Sequence, residues 1–193
     1  MRRLLLCLAL LSATARGEEQ LTLPAPEGWR TVTAIDTPNL RMSAFAVPGT
    51  TPETPDKLSF EWFAHDLAGG VNPFDLVEQV AGTIRGNCRG GTDQGVFAGD
   101  ENGYPTVVRL LLCPQLNGTD PPRGEMLMMK VMQGRTGFWI VVRGRDVSAD
   151  SAPDTDALRA TVRLWSEGMR GITLCDPETP DHPCPVTEPP ASG

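Results

Sequence analysis

The chain alternates between strand-like and helix-like periodicity. Trp29–Ile35 (WRTVTAI) and Leu40–Val47 (LRMSAFAV) are short and alternating or β-branched, and the turn-forming Asp36-Thr37-Pro38-Asn39 between them predicts a hairpin. The proline-bearing PGTTPETPDK reads as a loop. Leu58–Leu67 (LSFEWFAHDL), with aromatic residues on both faces, reads as a buried strand. An amphipathic helix follows, with Asn72 as its cap, Pro73 at its first position, and Phe74, Val77, Ala81, Ile84 and Cys88 at spacings of three and four. Gly86 and Asn87 stop it. The runs QGVFAGD, TVVRLLLC, EMLMMKVMQ and FWIVVRGRDV then predict an antiparallel meander, the last two joined by a Gly134-Arg135-Thr136-Gly137 turn. A second helix starts near Asp154 or Thr155 and buries Leu158, Val162, Trp165 and Met169, with Ile172 beyond. Gly168 and Gly171 weaken its end.

These elements make an α+β chain: a single domain over residues 27–185 in which two helices pack on an antiparallel sheet. The order of elements resembles the fold of the photosystem oxygen-evolving protein PsbP and its relatives. Residues 18–26 are polar and proline-bearing and predict a flexible N-terminus, and residues 186–193 predict a disordered proline-rich tail.

The first residues change the picture of where the protein works. MRRLLLCLALLSATARG has a basic start at Arg2 and Arg3, an apolar run from Leu4 to Leu11, and small residues Ala15 and Gly17 two apart, the pattern of a signal peptide spanning residues 1–17. Its apolar core is far short of the ~20 residues that span a bilayer, so no stable membrane insertion is expected after cleavage. The formal net charge of −7 becomes more negative once Arg2, Arg3 and Arg16 leave, which argues against nucleic acid as a partner. Lysine occurs only at Lys57 and Lys130 while arginine is plentiful, a bias of GC-rich coding that fits an exported bacterial protein. Periplasmic or secreted localisation follows.

In such a compartment Cys88, Cys113, Cys175 and Cys184 form disulfides. Three pairings are open; closeness in sequence and position at element ends favour Cys88 with Cys113 and Cys175 with Cys184. Zinc is the rival, but the gaps exceed C-x2-4-C knuckles and only His65 and His182 offer imidazoles. No metal or cofactor is expected. LCDPETPDHPCP after a tryptophan-bearing helix is also similar to the C-terminus of uncharacterised exported bacterial proteins in which an earlier cysteine pair flanks the central strands. Neither resemblance implies an activity.

Candidate chemistry is sparse. His65-Asp66 with Ser59 or Ser43 is the only grouping for a histidine-based hydrolase, and it lacks a G-x-S-x-G elbow. Asp93, Asp100 and Glu101 flank QGVFAG and offer paired carboxylates, although acids in turns are ordinary. Alternation puts Met126, Met128 and Met132 on one face of their strand with Lys130 among them, which suits core packing better than copper. Arg143 and Arg145 share a strand face, with Arg109 in a strand expected nearby, and such a group recognises a carboxylate or phosphate in two-pronged fashion. The expectation is a non-enzymatic binding module for an unknown protein or a small anionic ligand. The alternative is a small hydrolase-like enzyme centred on His65.

Overall fold

The computed structural model describes residues 19–22, 28, 30–46, 57–148 and 155–185. The expected leader at 1–17 and the expected tail at 186–193 lie outside the described residues. The elements in order are β1 (Gln20–Thr22), β2 (Arg30–Asp36), β3 (Leu40–Ala46), β4 (Lys57–Ala64), α1 (Pro73–Gly86), β5 (Cys88–Arg89), β6 (Thr92–Glu101), β7 (Tyr104–Cys113), β8 (Gln115–Leu116), β9 (Arg123–Gln133), β10 (Gly137–Ser148), α2 (Thr155–Arg170) and β11 (Thr173–Cys175).

Seven strands form one antiparallel sheet in the order β2-β3-β4-β10-β9-β7-β6. The expected hairpins close as read: Thr37 and Leu40 bond to each other at the β2–β3 turn, and Gly134 N–H donates to Gly137 O at the β9–β10 turn. Alternation divides each strand between two cores. On one face Leu58, Phe60, Met126, Met128, Met132 and Val141 pack under Trp165 and Met169 of α2. On the other Val107, Met129, Val131, Phe138 and Ile140 pack under Leu76 and Val77 of α1. The helices therefore sandwich the sheet.

Helix α1 begins where the sequence predicts. Asn72 Oδ1 accepts from Asp75 N–H at 3.0 Å, while the Asn72 amide donates to Asp75 Oδ2 at 2.7 Å, satisfying a free helix-start donor. Its buried face is rotated from the expected one. Leu76, Val77 and Ala81 are buried, whereas Phe74 is 42% exposed and Cys88 has left the helix for β5. Helix α2 buries the expected Trp165 and Met169, with Leu158 and Val162 partly covered.

The N-terminal segment expected to be loose contributes β1, which pairs with β11 from Gln20 opposite Cys175 to Thr22 opposite Thr173. Both expected disulfides are present, Cys88–Cys113 and Cys175–Cys184. One lies at each end of β7, the first covalently and the second through the loop it closes. The first ties its C-terminal end to the segment after α1. The second closes a loop that docks on the β6–β7 turn, where the His182 ring stacks on Tyr104 at 4.3 Å and its Nδ1–H donates to Asn102 O at 2.8 Å. Gly103, with φ 77°, lies against that imidazole, and a Cβ there would collide with it at 2.6 Å.

Candidate functional site

Register settles the arginine group. Arg143 stands beside Leu58 and Met128, and Met128 beside Leu110, all on the α2 face. Arg109 stands opposite Met129, one position out of that line, and so projects from the α1 face. The three expected ligand-reading arginines are thus not one cluster. Arg109 is 4% exposed and pairs with Glu78 of α1 and Asp93 of β6. Arg85 joins the same carboxylates at 3.3 and 3.4 Å. Hydrogen bonds from Arg109 hold the Glu78 and Asp93 carboxyls below their ordinary pKa values.

Arg143 and Arg145 both reach to α2. The Arg143 guanidinium lies over the Trp165 ring at 5.3 Å, and Arg145 donates to Thr161 Oγ1 at 3.3 Å. Gly144 between them is closely packed, since a Cβ there would meet Leu127 Cδ2 at 2.7 Å and displace that side chain. These contacts hold the helix to the sheet.

The other candidates also fall into structural partnerships. His65 Nε2–H donates to Gly134 O at 2.9 Å, and its ring packs edge-on to Phe138 at 5.0 Å. Ser43 and Ser59 make no hydrogen bond to it among the described residues. Asp93 and Glu101 project from opposite faces of β6, the first to Arg109 and the second to Lys130. No group of histidine, cysteine and carboxylate side chains suited to a metal occurs among the described residues.

Lys130, the charge among the methionines, is fully buried. Its Nζ pairs with Glu101 and donates to Met169 O at 2.9 Å, in the last turn of α2, and to Ile172 O at 2.7 Å, just beyond it. Burial pushes the Lys130 amine below its ordinary pKa, against the pull of Glu101. A helix anchored this way, on Trp165, two methionines and a long amine, stands off the sheet.

The stand-off opens a cleft on the α2 flank facing β6 and β7. One stretch of about 520 Å³ is lined by Leu110, Leu112 and Met126 from the sheet and by Leu158, Val162, Arg159 and Arg163 from the helix. A second of about 400 Å³ runs past Phe97, Val108, Met128 and Met169, with Ser166, Arg170, Asp100, Glu101 and Lys130 around it. The two follow one another along the same walls, because Val162 and Ser166 are one helical turn apart and Leu110 and Val108 are successive residues on one strand face. Arg159, Arg163 and Arg170 fall on this flank at helical spacing. Phe97 leans on the opposite rim, 63% exposed. Reading the sequence for buried chemistry passes over this feature; the signal it leaves is a row of arginines beside the apolar stripe of the last helix.

The class these observations define is an α+β domain, a seven-stranded antiparallel sheet between two helices, with two disulfides. No family model matches the chain, and no curated protein matches it. Solved structures similar in fold include cyanobacterial PsbP (CyanoP) from Synechocystis sp. PCC 6803, the likeness expected from the order of elements, with TM-score 0.48 and 13% identity over 86% of this chain and 98% of that one. The Ran-binding protein Mog1p of Saccharomyces cerevisiae overlays with TM-score 0.46 and 10% identity over 81% of this chain and 95% of that one. LpqN, involved in cell envelope biogenesis of Mycobacterium tuberculosis, overlays with TM-score 0.41 and 14% identity over 82% and 84%. The likeness is one of chain path, and no partner or activity passes from these proteins to this one.

Proposed function

We propose that this protein is a non-enzymatic binding module of an extracytoplasmic, oxidising compartment, periplasmic or secreted, and that its ligand surface is the cleft between α2 and β6–β7. The observation that carries the reading is the cleft itself: an open trough floored by Leu110, Leu112, Met126 and Met128 and bordered by an exposed phenylalanine. Concave apolar surface with a few polar groups at its rim is the usual form of a small-molecule site. Two disulfides in so small a chain support the compartment. Arg143 and Arg145, expected from the sequence to read an anion, stand on the opposite flank of α2, and in this reading they hold the helix that forms the cleft wall. The hydrolase alternative centred on His65 is the weaker reading, because among the described residues neither Ser43 nor Ser59 hydrogen-bonds to the His65 ring, which donates to Gly134 O.

Uptake of the apolar dye N-phenyl-1-naphthylamine tests the reading. The folded protein takes up the dye, and Phe97→Ser, which removes one rim, weakens uptake at least fivefold with the melting temperature nearly unchanged, while Val162→Trp, which fills the cleft from its helix wall, weakens it as strongly at some cost in stability. Uptake that is absent, or indifferent to both substitutions, refutes the cleft as a binding surface.

A further inference from the structure

The cleft is polar in an asymmetric way. At the end nearer the start of α2, Arg159 and Arg163 are the charged side chains around Leu110, Leu112, Met126, Leu158 and Val162, with Gln94 beside them. Both arginines are exposed, and the ion partner of Arg159 is Asp156, at 3.6 Å on the solvent side of the helix. At the other end Arg170 shares the rim with Asp100 and with Glu101, the partner of Lys130. One end is thus positive and the other carries charges of both signs, over a largely apolar floor. In a chain of net charge −7 that local positive field runs against the global one.

Building on the cleft as the ligand surface, we propose that its occupant is a single-chain amphiphile with a carboxylate head, a medium-chain fatty acid, held with its head at Arg159 and Arg163 and its tail running along Val108 and Met128 toward Phe97. Guanidinium groups are well matched to carboxylates, since both are planar and pair through two hydrogen bonds. At the far end Arg170 and Lys130 balance Asp100 and Glu101, so the net positive charge of the cleft lies at Arg159 and Arg163 and orients the head there. Two stretches that follow one another between a helix and a strand suit an extended, unbranched chain. Phe97, 63% exposed on β6, gains cover from the tail and accounts for an aromatic ring left in water on an edge strand. Each methylene added to the tail within the trough should raise affinity about fourfold, the usual transfer value for a buried CH2.

The experiment is displacement of bound N-phenyl-1-naphthylamine from the full chain by three ten-carbon probes below their micellar concentrations: decanoate, decanol and decylammonium. Decanoate should displace the dye at least tenfold more effectively than decylammonium, and octanoate should be weaker than decanoate by roughly tenfold or more. Arg159→Glu with Arg163→Glu, both exposed positions, should reverse the order so that decylammonium becomes the better competitor at an unchanged melting temperature. Equal displacement by all three heads, or an order unmoved by the charge reversal, overturns the carboxylate proposal while leaving the cleft as a binding surface. A wild-type protein that takes up no dye removes the cleft reading itself, and this proposal with it.

Discussion

Under α1, Arg109 is enclosed by two carboxylates, one from the helix and one from β6, and the small side chains Val77 and Ala81, fully buried, bring the helix down close on β7 and β9. Under α2, Lys130 is met by one carboxylate and by two carbonyls at the helix end, and the contacts beside it are Trp165, Met169, Met126 and Met128. Each face of the sheet thus buries one cation, yet α1 lies close on its strands while a cleft runs along α2. The difference lies in side-chain length. Valine and alanine let a helix settle, and a charge placed there is neutralised within the layer. Tryptophan, methionine and lysine hold a helix at arm's length, and the gap they leave on the β6–β7 side is the ligand surface proposed above. A face built for tightness and a face built for access share the same seven strands.

The largest expected effect tests whether α2 depends on its spacer. Trp165 is 2% exposed and carries both the central contact of α2 and the cation–π partner of Arg143. Trp165→Ala should cost about 3 to 5 kcal/mol, as large aromatic-to-alanine core changes do, measured by denaturant unfolding. A loss below about 1 kcal/mol would show that α2 is held chiefly by Lys130, and the comparison of the two faces would have to be redrawn around that amine.

How much of this contrast the sequence discloses depends on how local each feature is. The Asn72 cap, the Gly134–Gly137 turn and the Leu158-Val162-Trp165-Met169 stripe are set by residues within a few positions of one another, and all three stand as read. The face of α1 is not so determined. Phe74-Val77-Ala81-Ile84 and Leu76-Val77-Val80-Ala81-Ile84 both satisfy helical spacing, and only the position of the sheet selects the second. The arginines fail for a sharper reason. Arg143 and Arg145 are bound to one face by alternation within a strand, but Arg109 relates to them through the register of β7 on β9 and β9 on β10, and a one-residue shift moves a side chain to the opposite face. Strand β1 escaped notice because three residues pairing with β11, some 150 positions away, leave no periodic trace. The cleft is a property of helix height above the sheet, which no pattern along the chain encodes.

A smaller effect sharpens the account of the α1 face. Arg109→Met removes the cation that Glu78 and Asp93 share, and because both carboxylates retain about a third of their side-chain exposure they rehydrate, so the expected loss near neutral pH is about 1 to 3 kcal/mol. The pH dependence is more diagnostic. With both carboxyls held low by Arg109, the folded state binds fewer protons than the unfolded chain as pH falls. Their contribution is fully present above about pH 4.5, the ordinary glutamate value, and is lost as pH drops through the lowered folded values. Wild type and variant should therefore converge in stability under acid. Burial acts oppositely on Glu61 and Asp146, raising both, but in the two proteins alike, so it cancels in the difference. A gap between the two proteins that stays constant from pH 7 to pH 3 would mean that Arg109 acts through packing and not through its carboxylates.

The smallest expected effect on stability separates the scaffold from the site on the open face. Arg159 has a side chain 77% exposed, and its one ion partner, Asp156, is 93% exposed, so the pair is screened and worth little to the fold. Arg159→Ala should shift stability by no more than about 0.5 kcal/mol, in contrast to Trp165 two turns further along the same helix. Alanine also favours helix, which offsets the lost pair. If the rim reads an anionic head, this near-silent change should still weaken decanoate binding severalfold while leaving decanol unaffected, because only the charged head addresses the guanidinium. A variant that loses stability and decanoate binding together would place Arg159 in the structural layer with Arg143 and Arg145, and the positive end of the cleft would then rest on Arg163 alone. A variant that loses neither would show that the head binds elsewhere along the trough. The outcome expected from the geometry is loss of decanoate binding without loss of fold, since an exposed side chain on the rim of a stand-off helix touches the ligand and little else.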